Sequence, residues 1–153
     1  MTLAFIFLIG FFAGLRSLTA PAATAWAVYL GWLKIDGPLS LIGSVPSVAI
    51  LTLLAIAELV ADKLPQTPSR TSPPGLAARF VAGGLTGACI AAAGSQGVLV
   101  GAVLGASGGI VGCFAGYRAR AVLVNSLATP DIYVALVEDL LAVAGCLWVV
   151  SQF

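Results

Sequence analysis

The sequence predicts an all-α membrane protein of six helical elements in three hairpins. The first hairpin is expected to be short or re-entrant, and the first and third to be related by an internal repeat. Three observations carry this expectation. Of the 153 residues, 60% are hydrophobic and only 8% charged, whereas a soluble domain carries roughly 25% charged residues. Mean hydropathy is +1.09, far above what a water-covered surface tolerates. Prolines, glycines and isolated charges cut the apolar sequence at helix-length intervals.

The same composition excludes other classes. Seven basic and six acidic side chains cannot cover a soluble globule, and their low density excludes a disordered chain or a coiled coil. Net charge +1 provides no basic stripe for nucleic acid. Histidine is absent, so Ser-His-Asp and Cys-His chemistry is excluded. Cys89, Cys113 and Cys146 are dispersed in apolar runs with no metal-ligand spacing, and read as small buried side chains. No enzyme, catalytic residue, metal or cofactor is therefore expected.

The first helix runs from Leu3 to Leu15. It is not expected to be a cleaved signal, because no basic residue precedes the apolar run and Arg16 follows it. The second runs from Pro21 to about Leu33. At 13–14 residues, roughly 20 Å, each is short for a full crossing, so both are thin-spanning or form a re-entrant hairpin with Arg16 at its tip. The third runs from Val45 to about Asp62. The uncharged stretch Phe80–Tyr117 would make about 57 Å of helix, too long for one crossing of a ~30 Å core. Gly94-Ser95-Gln96-Gly97 divides it into a fourth helix, about Gly75 to Ala93, and a fifth, about Val98 to Arg118 or a little beyond. The sixth runs from Pro130 to about Val150. Helix starts carry Ser or Thr ahead of proline: Thr19 with Pro21, Ser44 with Pro46, Ser72 with Pro73 and Pro74, Thr129 with Pro130.

The whole chain, 1–153, reads as one transmembrane domain in the lipid bilayer. Six of the seven basic residues fall in the three hairpin turns: Arg16, then Lys63, Arg70 and Arg79, then Arg118 and Arg120. Basic residues favour the cytoplasmic side, so the turns are expected inside and both termini outside.

The repeat is G-x-F-A-G-x-R, at Gly10–Arg16 and again at Gly112–Arg118, followed by Ser-Leu and Pro in both copies. Seven extra residues separate the blocks of the second copy. The repeat units span about 3–33 and 98–150, four crossings apart, so they are parallel copies. Gly97, Gly101, Gly105 and Gly109 form a four-residue ladder, and Gly83, Gly87, Gly10 and Gly14 mark two further helices. Such spacing lets helices approach closely. It suits packing within one chain, and also a homo-oligomer interface or a pore lining.

Charges inside a membrane segment are costly and face protein or water. Glu58 and Asp62 share a helix face at i, i+4, and Glu138 and Asp139 lie two turns into the last helix. With the arginines they form either a structural ion-pair network or a polar cavity for a ligand. Candidate ligand-binding residues are Arg16, Glu58, Asp62, Arg70, Arg79, Arg118, Glu138 and Asp139. The segment 63–75, with four prolines and four hydroxyl residues around Arg70, is a stiff linker or a cover that presents an anion site.

Three stretches carry a resemblance. They are G-F-F-A-G-L-R-S-L-T-A-P (10–21), A-E-L-V-A-D-K-L-P-Q-T-P-S-R-T-S-P-P-G-L-A-A-R (57–79), and F-A-G-Y-R with P-D-I-Y-V-A-L-V-E-D-L (114–118, 130–140). The chain resembles a bacterial membrane-protein family classed as domain of unknown function 4126. The resemblance implies an integral protein of the bacterial inner membrane and carries no activity. The Arg-then-Pro hairpin ends are similar in kind to the re-entrant tips of polyprenyl-phosphate translocases. From the charges, the expected role is a transporter or channel for a small solute, ion or anionic head group. The alternative is a non-transporting scaffold or accessory subunit.

Overall fold

A computed structural model describes residues 1–62, 71–127 and 130–153. It contains six α-helices: α1 Thr2–Leu15, α2 Thr19–Tyr29, α3 Val45–Ala61, α4 Pro73–Ala93, α5 Val98–Leu127 and α6 Asp131–Val150, with a 3-10 turn at Pro38–Gly43 between α2 and α3. Among the described residues no strand is present. Three helices, α4, α5 and α6, are long and apolar enough to cross a membrane, and α1 and α3 are shorter apolar helices. The chain is a membrane protein by this measure.

The distribution of side-chain size fits such a setting. Large apolar residues point outward, with Leu53 67% and Leu140 68% exposed, while alanine, glycine and cysteine dominate the buried positions. Lipid tails are as apolar as leucine, so small residues that let backbones touch hold the helices together.

The tightest packing joins the consecutive helices α4 and α5 with α1, which is distant from both in sequence. Glycine makes it possible. A Cβ placed on Gly10 would lie 2.8 Å from the Gly105 Cα, and one on Gly105 would lie 2.8 Å from the Gly87 Cα. Gly14 meets the Gly112 backbone, Gly101 meets Gly87, and Gly109 meets Arg79. Gly101, Gly105, Gly109 and Gly112 are thus covered within one chain, and at those positions no flat face is left for a second copy.

The sequence hairpins are not the packing units. Helix α3 lies on α2 and the 3-10 turn rather than against α4, because α4 is drawn into the glycine seam with α1 and α5. A hydrogen bond from Trp26 Nε1 to Thr52 Oγ1, 3.0 Å, ties α2 to α3. Helices α1 and α2, at 14 and 11 residues, are as short as expected. The second helix ends at Tyr29, not Leu33: the Trp32 and Leu33 amides both turn back to the Ala27 carbonyl, and Gly31 takes φ +78°. The Gly94–Gly97 turn is where the sequence puts it.

The expected caps are met once. Ser44 Oγ accepts from the Ser47 amide at 3.4 Å. Ser72 holds the cap position of α4 without a side-chain hydrogen bond, Leu18 rather than Thr19 precedes α2, and Thr129 lies outside the described residues. The two copies of G-x-F-A-G-x-R also part company. After Arg16 the chain leaves the helix, with Arg16 at φ −138°, ψ 111°. After Arg118 helix α5 runs on to Leu127, and the seven extra residues of the second copy extend this helix rather than form a turn.

Candidate functional site

The α1–α2 turn, α3's C-terminus and the lower parts of α4 and α6 meet at one end of the bundle. Helix α1 ends there with its last carbonyls unmatched by intrahelical donors, and α2 begins with its first amides unmatched. Two charged side chains from other helices complete these ends. Arg79 of α4, buried, donates from Nε to the Gly14 carbonyl at 2.9 Å and from Nη1 to the Gly75 carbonyl at 2.9 Å. Glu58 of α3 accepts from the Ser17 amide at 2.9 Å, the Leu18 amide at 2.8 Å and the Ser17 hydroxyl. A cation thus sits at a helix C-terminus and an anion at an N-terminus, each favoured by the helix dipole at about 0.3–1 kcal/mol or more when partly buried.

Arg16 occupies the tip between them. Its side chain is 0% exposed. Its Nη1 pairs with Asp62 Oδ2, and its Nε lies 2.6 Å from Asp139 Oδ1. An arginine shielded from water needs such partners, since an isolated buried charge costs several kcal/mol. Asp62 comes from the C-cap of α3 and Asp139 from α6, so this one guanidinium links the tip to two other helices.

A second charged group lies further along α5 and α6. Arg120 holds Asp131 in a bidentate pair, Nε to Oδ1 at 2.7 Å and Nη2 to Oδ2, and its Nη1 lies 3.8 Å from Glu138 Oε2. Glu138 is buried and Asp131 exposed.

Beside this group is a cleft of about 490 Å³. Phe11 and Leu15 of α1 close its top, Ala119 and Leu123 of α5 form one wall, and Tyr133 and Val137 of α6 form the other, with Arg120 and Glu138 at the edge. The cleft forms where α1 stops at Leu15 while α5 continues to Leu127, so that among the described residues no third helix lies between α5 and α6 there.

Seven of the eight sequence-predicted candidates can be placed. Arg16, Asp62 and Asp139 form one node, Glu58 and Arg79 complete the helix ends beside it, and Glu138 faces Arg120 and the cleft. Arg118 is exposed, and two residues of helix carry it about 200° round from both Gly116 and Arg120, away from the cleft. Arg70 lies outside the described residues. By depth the sequence offers Arg16 four carboxylates, Glu58, Asp62, Glu138 and Asp139, and its partners in the structure are Asp62 and Asp139. Arg120 and Asp131 are not among the predicted candidates. Their signal is an Arg and an Asp eleven residues apart across a helix break.

Comparison with known families finds a model covering residues 3–152, described as "Domain of unknown function (DUF4126)". No curated protein and no solved structure matches the chain.

Proposed function

The chain belongs to the DUF4126 family across nearly its whole length, and on that premise we propose that it is a multi-pass transport protein of the bacterial cytoplasmic membrane. Its substrate site is the cleft between α5 and α6, and its substrate is a small solute or ion. The termini lie outside, and the end of the bundle bearing Arg16, Arg79 and Arg120 faces the cytoplasm. The observation that carries this reading is the cleft itself: a space of about 490 Å³ beside embedded charged groups, the setting in which intramembrane ionisable residues serve substrate paths.

An anionic substrate finds less support. Arg16 is held by Asp62 and Asp139, Arg79 by two carbonyls, and Arg120 by Asp131. The same pairings favour the alternative, a scaffold whose ion pairs only tie helix ends together. The two readings differ in whether the cleft is wet and conducts. Single cysteines at Leu123, Val137 and Leu141, with the native cysteines replaced by alanine, are expected to react with a water-soluble thiol reagent from the cytoplasmic side only. Concentration jumps of sodium, potassium or chloride on supported membranes are expected to evoke protein-dependent currents that Ala119→Trp abolishes. Unreactive cysteines together with no current above protein-free bilayers would leave the scaffold.

A further inference from the structure

A second, smaller space of about 180 Å³ lies between α2, α3 and α6, with Thr19 and Ala23 of α2, Ala55 and Leu59 of α3, and Val143 of α6 in its walls. The Arg16 node stands between this space and the cleft. At the α1–α2 turn, Leu15 lines the cleft, Arg16 forms the node and Thr19 lines the second space. The same order recurs on α6: Glu138 at the cleft, Asp139 in the node, Val143 at the second space. First to last, these three span about 7.5 Å of helix axis. With the termini outside, Val143 lies in the half of α6 nearer the outer face. Two separate stretches of chain therefore pass from the cleft, through one buried charged group, to a space on the outer side.

Helix α3 is the wall best able to move. Only Val48 and Ala55 of its 17 residues are buried, against eight of the 11 in α2. Its ties are polar: Glu58 to the Ser17 and Leu18 amides, Asp62 to Arg16, and Thr52 to Trp26 Nε1. Such ties can be exchanged for bonds to water at small net cost, and few buried apolar contacts mark the parts of a fold that open most readily. Behind α3, Thr19 Oγ1 is buried without a hydrogen-bond partner. A buried hydroxyl left unpaired is costly, and this one offers a passing solute or its hydration shell a polar contact on a mainly apolar wall.

We propose that the space between α2, α3 and α6 is the outward half of the path for the same small solute or ion, joined to the cleft through the Arg16 node when α3 moves away from α2 and α6. The proposal rests on the reading of the cleft as the substrate site, and adds a second site on the path and the helix that opens it.

The test uses the full-length protein in lipid vesicles, with the native cysteines replaced by alanine. Ala23→Cys, buried behind α3, is expected to react slowly with a membrane-impermeant thiol reagent added on the outer side. It should react about tenfold faster when Glu58→Gln frees α3 from the start of α2. Should Glu58→Gln fail to fold, Thr52→Val removes the tie to Trp26 and is expected to give about threefold. A protein that keeps Cys89 alone, buried in α4, is the control and should show no gain. Ile56→Cys and Val143→Cys, in facing walls of the space, are then joined by a short bifunctional methanethiosulfonate. The bridge should abolish the ion currents, and its reduction should restore them. No gain at Ala23→Cys in either variant, an equal gain at Cys89, or currents that survive a completed bridge would overturn the proposal and leave the cleft as the substrate site. Absence of current before bridging overturns it too, and counts against the cleft itself only if cysteines at Leu123, Val137 and Leu141 are also unreactive.

Discussion

Arg16 is the side chain on which three parts of the chain converge. Its guanidinium stays charged at any workable pH and is shielded from water, so removing its charge strands two carboxylates. Arg16→Gln is expected to cost about 3–5 kcal/mol, the loss for breaking a buried pair. Asp62→Asn or Asp139→Asn in the same chain should restore part of it, because coupled residues give a non-additive energy of about 0.5–3 kcal/mol. Glu58→Gln should restore nothing, since Glu58 binds the Ser17 and Leu18 amides instead. Thermal melting of the four variants in one detergent checks this, and rescue by Glu58→Gln would refute the assignment. The sequence places Arg16 among carboxylates because a charge in so apolar a chain must be paired. It does not tell Asp62 from Glu58, one turn apart on the same face of α3. That choice depends on which carboxylate the start of α2 takes, a contact across 40 residues.

At the scale of helices, the glycine seam decides how the chain is assembled. Gly105 touches α1 on one side and α4 on the other, so a side chain there meets backbone that cannot turn aside. Gly105→Leu is expected to cost more than about 3 kcal/mol, beyond the usual range for overpacking, and to prevent recovery of folded protein. Gly84 is the control: a Cβ there lies 3.4 Å from the Ala102 carbonyl oxygen and 3.7 Å from the Ala106 Cβ. Gly84→Ala should raise stability by about 0.5–1 kcal/mol through helix propensity. Expression and melting temperature measure both, and a stable Gly105→Leu protein would refute the seam. Helix number, type and most boundaries are legible from prolines, glycines and charges, because those residues act locally. The partners are not, since the spacing of Gly101, Gly105 and Gly109 states that something approaches without stating what. The extra length of α5 is hidden for another reason. Arg118 and Arg120 look like a helix end in a membrane protein, yet the helix propensity of the residues that follow carries α5 through to Leu127.

The molecule as a whole combines helices of very different lengths around one seam. Helix α1, with 14 residues, spans about 21 Å, while α5, with 30, spans about 45 Å. A bilayer core is about 30 Å thick, so one is too short and the other too long for the same membrane. They cannot adjust independently, because their glycines fix them side by side. The excess of α5 can leave the core beyond Arg118, but the shortfall of α1 cannot be met by tilting, which only shortens its reach. If the first hairpin spans rather than re-enters, the bilayer thins around it, at a cost of a fraction of a kcal/mol per ångström of mismatch. In nanodiscs of phosphatidylcholines with graded acyl-chain length, melting temperature is expected to be highest in thinner-than-average membranes and to fall as the chains lengthen. A melting temperature independent of chain length would show that α1 does not meet lipid along its short dimension. If the dependence holds, the lipid composition of the host membrane becomes a determinant of this protein's stability, and a fold built around a deliberately short helix would favour thin regions of the membrane.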